Sequence, residues 1–206
     1  MFIIRFIYKI LEIPFVYNLV QSILGGKKVH TLFVSEIKKI LSNISYTRLL
    51  DVGCGTGIYR EAFSNEYVGI DINPQYIELC KKTILGEFSV GDATKIEFEN
   101  SSFDVIATIG VIHHLDGNQT KMMFDEMKRI CKPNGNILLV DGLIPGNRLN
   151  FWGYIIAKMD RGKYKKKYTD FKKMIDESFG LDYSINAYLK KSFPMEYVFM
   201  VITKNN

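Results

Sequence analysis

Leu49-Leu50-Asp51-Val52-Gly53-Cys54-Gly55-Thr56-Gly57 carries an apolar strand straight into a turn with glycine at every second position. Glycine lets a backbone bend tightly and approach a ligand closely, because no Cβ intrudes. The pattern predicts a strand over Arg48–Val52, a ligand-facing turn and a helix over Ile58–Phe63. Outward from this unit, apolar runs of strand length alternate with segments of helical period. The further candidate strands are Tyr67–Asp71, Glu87–Val90, Asp104–Ile109, Asn136–Asp141, Asp182–Leu189 and Tyr197–Thr203. Such alternation predicts an α/β fold, a parallel sheet with helices on both faces. Asn73-Pro74 caps and starts one helix. Met123, Phe124, Met127 and Ile130 form the apolar stripe of a second, ended by Lys132-Pro133-Asn134-Gly135. Thr169 opens a third, with Phe171, Met174, Ile175, Ser178 and Phe179 at helical spacing before Gly180. Only Lys190–Glu196 joins the last two strands, too little for a crossover helix, so they must pair antiparallel.

The length of 206 residues suits one domain better than two, each with its own core. The expected division is a helical lid over 1–45 and a core over 46–206. Hydrophobic residues at 47% and charged residues at 24% exclude a disordered or fibrous chain. Cys54, Cys80 and Cys131 show no disulfide framework and no metal-ligand spacing, which favours the cytoplasm and no bound metal. The apolar start, Met1 to Leu24, is broken by Arg5, Lys9, Glu12 and Pro14, so it reads as two short helices rather than a membrane span. The basicity is local. From Lys158 to Lys173 there are eight Lys or Arg against Asp160 and Asp170, and the rest of the chain is close to neutral.

Asp71 ends the second strand, twenty residues after Asp51, where a carboxylate can accept from both hydroxyls of a ribose. Gly91-Asp92-Ala93 ends the third strand and puts another carboxylate on the same sheet edge. The ordered motifs LLDVGCGTG, VGIDINP, VGDATKIEF, SSFDVIATIGVIHHL and KRICKPNGNILLVDG, from Leu49 to Gly142, resemble those of class I S-adenosylmethionine-dependent methyltransferases, in the quinone-biosynthesis-like, small-molecule branch. The resemblance implies a Rossmann-like three-layer sandwich with a seven-stranded sheet of order 3-2-1-4-5-7-6, strand seven antiparallel. It implies S-adenosylmethionine as cofactor. Asp51 and the turn residues Gly53, Cys54, Gly55 and Gly57 would face its methionine part, Asp71 its ribose hydroxyls, Asp92 and Ala93 its adenine, and Ile72, Ile109 and Gly110 would lie against it.

His113 and His114 follow the fourth strand, and the His-His-Leu ending resembles that branch. A hydroxyl acceptor must lose its proton, and a histidine can take it. His114 is the expected base, ahead of His113. Relatives that hold a metal carry acidic residues where this chain has Gly110 and His113. No Asp/Asn-Pro-Pro-Tyr and no Pro-Cys follows the fourth strand, which disfavours DNA bases as acceptors. Phe15, Tyr17, Asn18, Phe151, Trp152 and Tyr154 are the candidate acceptor wall. The basic run would draw in an acidic small molecule, though the same charges attract RNA or an anionic membrane surface. Two alternatives remain: a cofactor-binding partner subunit without catalysis, and an NAD(P) oxidoreductase built on the Tyr154-x-x-x-Lys158 spacing.

Overall fold

The computed structural model describes residues 26–147, 150, 153 and 164–205. Its strands are β1 (Arg48–Val52), β2 (Glu66–Asp71), β3 (Glu87–Val90), β4 (Phe103–Ile109), β5 (Cys131–Leu143), β6 (Tyr183–Ser192) and β7 (Met195–Lys204). The helices are α1 (Lys27–Leu41), α2 (Pro74–Thr83), α3 (Gly117–Ile130) and α4 (Tyr168–Phe179). One sheet holds all seven strands in the order β3-β2-β1-β4-β5-β7-β6. β1 to β5 run parallel, and β7 lies antiparallel between β5 and β6. The expected sheet and its terminal hairpin are both present.

Alternation along the strands builds two cores. Leu50, Val52, Val68, Ile70 and Ile106 face the side covered by α3 and α4, where Met123, Phe124, Met127 and Ile130 are all buried. Leu49, Tyr67, Val105, Ala107 and Phe199 face α1 and α2. Strands buried on both faces carry near-continuous apolar sequence, which is why these runs were legible. Asn73 caps α2 by accepting from the N–H of Gln75, with Pro74 in the first turn. Asp116 and Gln119 form a reciprocal capping box on α3.

Two expectations are corrected. Ile58–Phe63 forms only a single 3-10 turn, Arg60–Ala62. Eight residues separate Gly57 from β2, and as a helix they would rise about 12 Å, short of the ~17 Å needed to return along a five-residue strand. Lys132-Pro133-Asn134-Gly135 belongs to β5, which starts directly after α3 because Cys131 already pairs with Phe103. Residues 27–41 form α1, which packs on the sheet face through Phe33, Val34, Ile37 and Leu41. Glu36 ties α1 to β6, accepting from the Tyr188 hydroxyl at 3.2 Å and pairing with Lys190 at 2.9 Å. Among the described residues no helix is long and apolar enough to cross a membrane.

Candidate active site

A cleft of about 670 Å³ opens at the carboxyl ends of β1 to β4. Strand order reverses between β1 and β4, the place where open α/β sheets bind ligands. Gly53 and Gly55 line its floor, Asp71, Ile72 and Asp92 with Ala93 one side, and Ile109, Gly110, Val111 and His114 the other. Gly53 has φ +75°, and a Cβ there would overlap Cγ2 of Val111. Glycine is therefore required both for the turn and for the close packing of the β4 loop against it.

The turn is held from behind by β2. The N–H groups of Gly53 and Cys54 both donate to the carbonyl of Ile70, at 2.8 and 2.9 Å. The N–H of Gly55 donates to Oδ2 of Asp71 at 2.9 Å, and that of Asn73 to Oδ1 at 2.8 Å. Burial raises the Asp71 carboxyl above its ordinary value, opposed by the bonds from Asn73 and Gly55. A carboxylate offers about four lone-pair sites, and Asp71 lines the cleft.

Asp51 sits deeper and is only 2% exposed. The Tyr67 hydroxyl donates to its Oδ2 at 2.7 Å, while Oδ1 has no hydrogen-bond partner among the described residues. Burial, followed by the neighbouring charge of Asp71, pushes its carboxyl up to about 7 against the Tyr67 bond. The Cys54 side chain turns away from the cleft into the core, where its bond with Cys80 and then burial push the thiol well up, which leaves it inert. Gly57 (φ +71°) faces Ile84 and Cys80 and shapes the turn from outside the cleft. Oδ1 of Asp92 accepts from both the N–H and the hydroxyl of Thr94 at 2.8 Å.

The two histidines lie on a 3-10 turn, Ile112–His114, anchored by buried Ile112. His114 lines the cleft. His113 stands beside it, ring centroids 4.2 Å apart, with Nδ1 2.5 Å from Oδ1 of Asp141. Sequence reasoning passed over Asp141, although its place at the end of the strand next to β4 set it on the same edge. It also took Asn73-Pro74 as a helix start alone, whereas Asn73, Pro74, Gln75 and Tyr76 all line the cleft. Part of the basic run returns over this edge. The N–H of Tyr164 donates to the His113 carbonyl and that of Ile144 to the Lys166 carbonyl, both at 3.0 Å. Phe15, Tyr17, Asn18, Phe151, Trp152, Tyr154 and Lys158 lie outside the described residues.

The sequence profile of a methyltransferase domain matches residues 50–139. The phthiotriol/phenolphthiotriol dimycocerosates methyltransferase of Mycobacterium leprae is 35% identical over 118 residues, 53% of this chain and 43% of that protein. The demethylmenaquinone methyltransferase of Thermotoga maritima is 26% identical over 147 residues, 68% of this chain and 62% of that protein. The chain thus spans about half the length of these relatives. A solved S-adenosylmethionine-dependent methyltransferase from Archaeoglobus fulgidus shares the fold with a TM-score of 0.71 at 16% identity, covering 91% of this chain and 99% of that one. The chain therefore resembles methyltransferases across its ordered motifs, and its fold is that of a solved S-adenosylmethionine-dependent methyltransferase.

Proposed function

We propose that the protein binds S-adenosylmethionine in this cleft and methylates a small-molecule acceptor at oxygen. The observation that carries the reading is the joined pair of Gly53–Gly55 and Asp71, a side-chain-free floor beside a carboxylate that lines the same cleft and can accept from ribose hydroxyls. Oδ1 of Asp51, which has no hydrogen-bond partner among the described residues, adds a buried acceptor close behind the same turn, which suits a ligand bearing an ammonium group. Asp92 with Ala93 forms the adenine end, with Ile72 and Ile109 as apolar walls. When bound, the cofactor supplies an electrophilic methyl carbon on a sulfonium. The protein's share is to hold an acceptor oxygen in line with that carbon and to take its proton, from the turn that carries His113 and His114.

The two named relatives act on small molecules, which supports a small-molecule acceptor here. Lys165–Lys167, carried to the carboxyl edge of the sheet by the bonds of Tyr164 and Lys166, would favour an acidic one. The test is calorimetry of S-adenosylhomocysteine together with mass spectrometry of co-purified small molecules. Binding is expected, as is S-adenosylhomocysteine, the product of methyl transfer, among the co-purified masses. Binding of NAD(P)H in its place would move the chain to redox chemistry.

A further inference from the structure

Beside the cleft, the carboxyl edge of the sheet collects exposed aromatic rings and lysines. β5 ends there at Leu143, which pairs with Glu196, so the β6–β7 hairpin turns at Phe193-Pro194 just beyond that edge. Phe193, at the tip, is 82% exposed. Tyr164, whose N–H donates to the His113 carbonyl past the end of β4, is 41% exposed. α1 begins at the same edge. Nε2 of His30 lies 2.7 Å from the carbonyl oxygen of Ile58, just past the glycine turn, and the Phe33 ring meets that of Tyr197, the strand partner of Gly142, at 4.9 Å.

Positive charge accompanies the rings. Lys27 and Lys28 open α1 and are exposed. Lys166 and Lys167 follow Tyr164, and Nζ of Lys166 donates to the Tyr164 carbonyl at 3.3 Å. On the hairpin Lys190 pairs with Glu36, and Lys191 lies 3.8 Å from Glu196, so these two add little net charge. Of the described acids at this edge, Asp141 is buried, and Asp71 and Asp92 line the cleft.

Lysines alone would serve an acidic solute as well as an anionic surface. A solute has no use for a phenyl ring held out at a hairpin tip, outside the cleft lining. A bilayer takes such a ring into its headgroup boundary while lysines meet its phosphates. The sequence entering α1 at this edge has the same chemistry: Met1 to Leu24 is predominantly apolar, with Arg5 and Lys9 and one acid, Glu12. Single-stranded nucleic acid also takes rings and lysines, but it gives so long an apolar stretch no counterpart.

We propose that this edge is a membrane-docking surface, on which Phe193 and Tyr164 enter the headgroup boundary of an anionic phospholipid bilayer and Lys27, Lys28, Lys166 and Lys167 hold it there. The cleft opens on the same edge, so docking turns its mouth toward compounds dissolved in the membrane. The surface stands apart from the methyl-transfer reading.

The test is co-sedimentation of the full-length chain with vesicles of phosphatidylcholine, with and without phosphatidylglycerol. Association is expected only with the anionic vesicles, and raised salt should weaken it. Each lysine at an anionic surface contributes about fivefold to partitioning, so Lys27→Ser/Lys28→Ser/Lys166→Ser/Lys167→Ser should lower it by more than about tenfold. Phe193→Ser should lower it several-fold at unchanged charge. Trp152 is the chain's single tryptophan, so Trp152→Phe/Phe193→Trp moves the fluorophore to the tip, where brominated lipids should quench it. Circular dichroism and S-adenosylhomocysteine affinity are expected to be unchanged in these variants. No association with anionic vesicles, association that neither Phe193→Ser nor the lysine variant weakens, or an unquenched tryptophan overturns the proposal. So does a lysine variant that loses transfer RNA and keeps the vesicles. Failure of the wild type to bind S-adenosylhomocysteine would instead remove the methyl-transfer reading and leave the docking measurements standing.

Discussion

The Tyr67 hydroxyl donates to Oδ2 of Asp51 at 2.7 Å, and among the described residues this is the one side-chain bond that offsets the burial of that carboxyl behind the glycine turn. Burial nevertheless dominates and lifts Asp51 from 3.8 to about 7. Between those values the folded chain binds a proton that the unfolded chain has lost. Stability from this group is therefore complete below about pH 4, falls as pH rises toward about 7, and levels off above it. A rise of that size corresponds to about 4 kcal/mol at most. Asp51→Asn should raise the ligand-free melting temperature at pH 8 and lose that advantage toward pH 4. A gap between variant and wild type that is equal at both pH values would contradict this account.

Asp71 both holds the turn and lines the cleft. Asp71→Ala removes the acceptors for Gly55 and Asn73 along with those for a ribose, each worth about 1–3 kcal/mol when the partner stays buried. Calorimetry should show S-adenosylhomocysteine affinity at least tenfold weaker, with circular dichroism unchanged. Full affinity in that variant would detach Asp71 from the cofactor.

Gly53→Ala forces a Cβ into Val111 at a backbone angle that side chains rarely adopt. Overpacking of this kind destabilises by about 1–3 kcal/mol. The second substitution Val111→Ala should recover part of the lost stability and cofactor affinity, leaving the backbone strain. If the double variant behaves as the sum of its singles, the two residues do not press on one another.

His114→Ala is expected to lower turnover on a hydroxyl acceptor by about 10²–10⁴-fold with cofactor affinity intact, the usual range for a lost general base. A variant that loses cofactor binding instead would give His114 a structural role.

Much of this was readable beforehand because the sheet is buried on both faces. Leu49-Leu50, Tyr67-Val68 and Val105-Ile106-Ala107 each serve two cores, so they appear as uninterrupted apolar runs. Asp71 and Asp92 were legible as cleft residues because each sits at or just past a strand end on one edge, while Ala93 and Ile109 came only with the family resemblance. The β1–β2 connection was not, since helical composition at Ile58–Phe63 carries no measure of the distance the chain must cover. The meeting of His113 and Asp141 was hidden for another reason. They are 28 residues apart, and only the pairing of Ile109 with Val140 brings their strand ends level. The acceptor wall over Tyr17, Trp152 and Tyr154 stays a reading of sequence alone.

The amides of Gly53, Cys54 and Gly55 are all engaged by β2, through the Ile70 carbonyl and the Asp71 carboxyl. A loop whose donors are already satisfied has few other conformations to explore. A ligand settling there finds the receiving surface in its final shape and has little chain to immobilise, so less of the contact energy is consumed in ordering the protein. Slow hydrogen exchange at those three amides in the empty protein would be the thermodynamic mark of that rigidity.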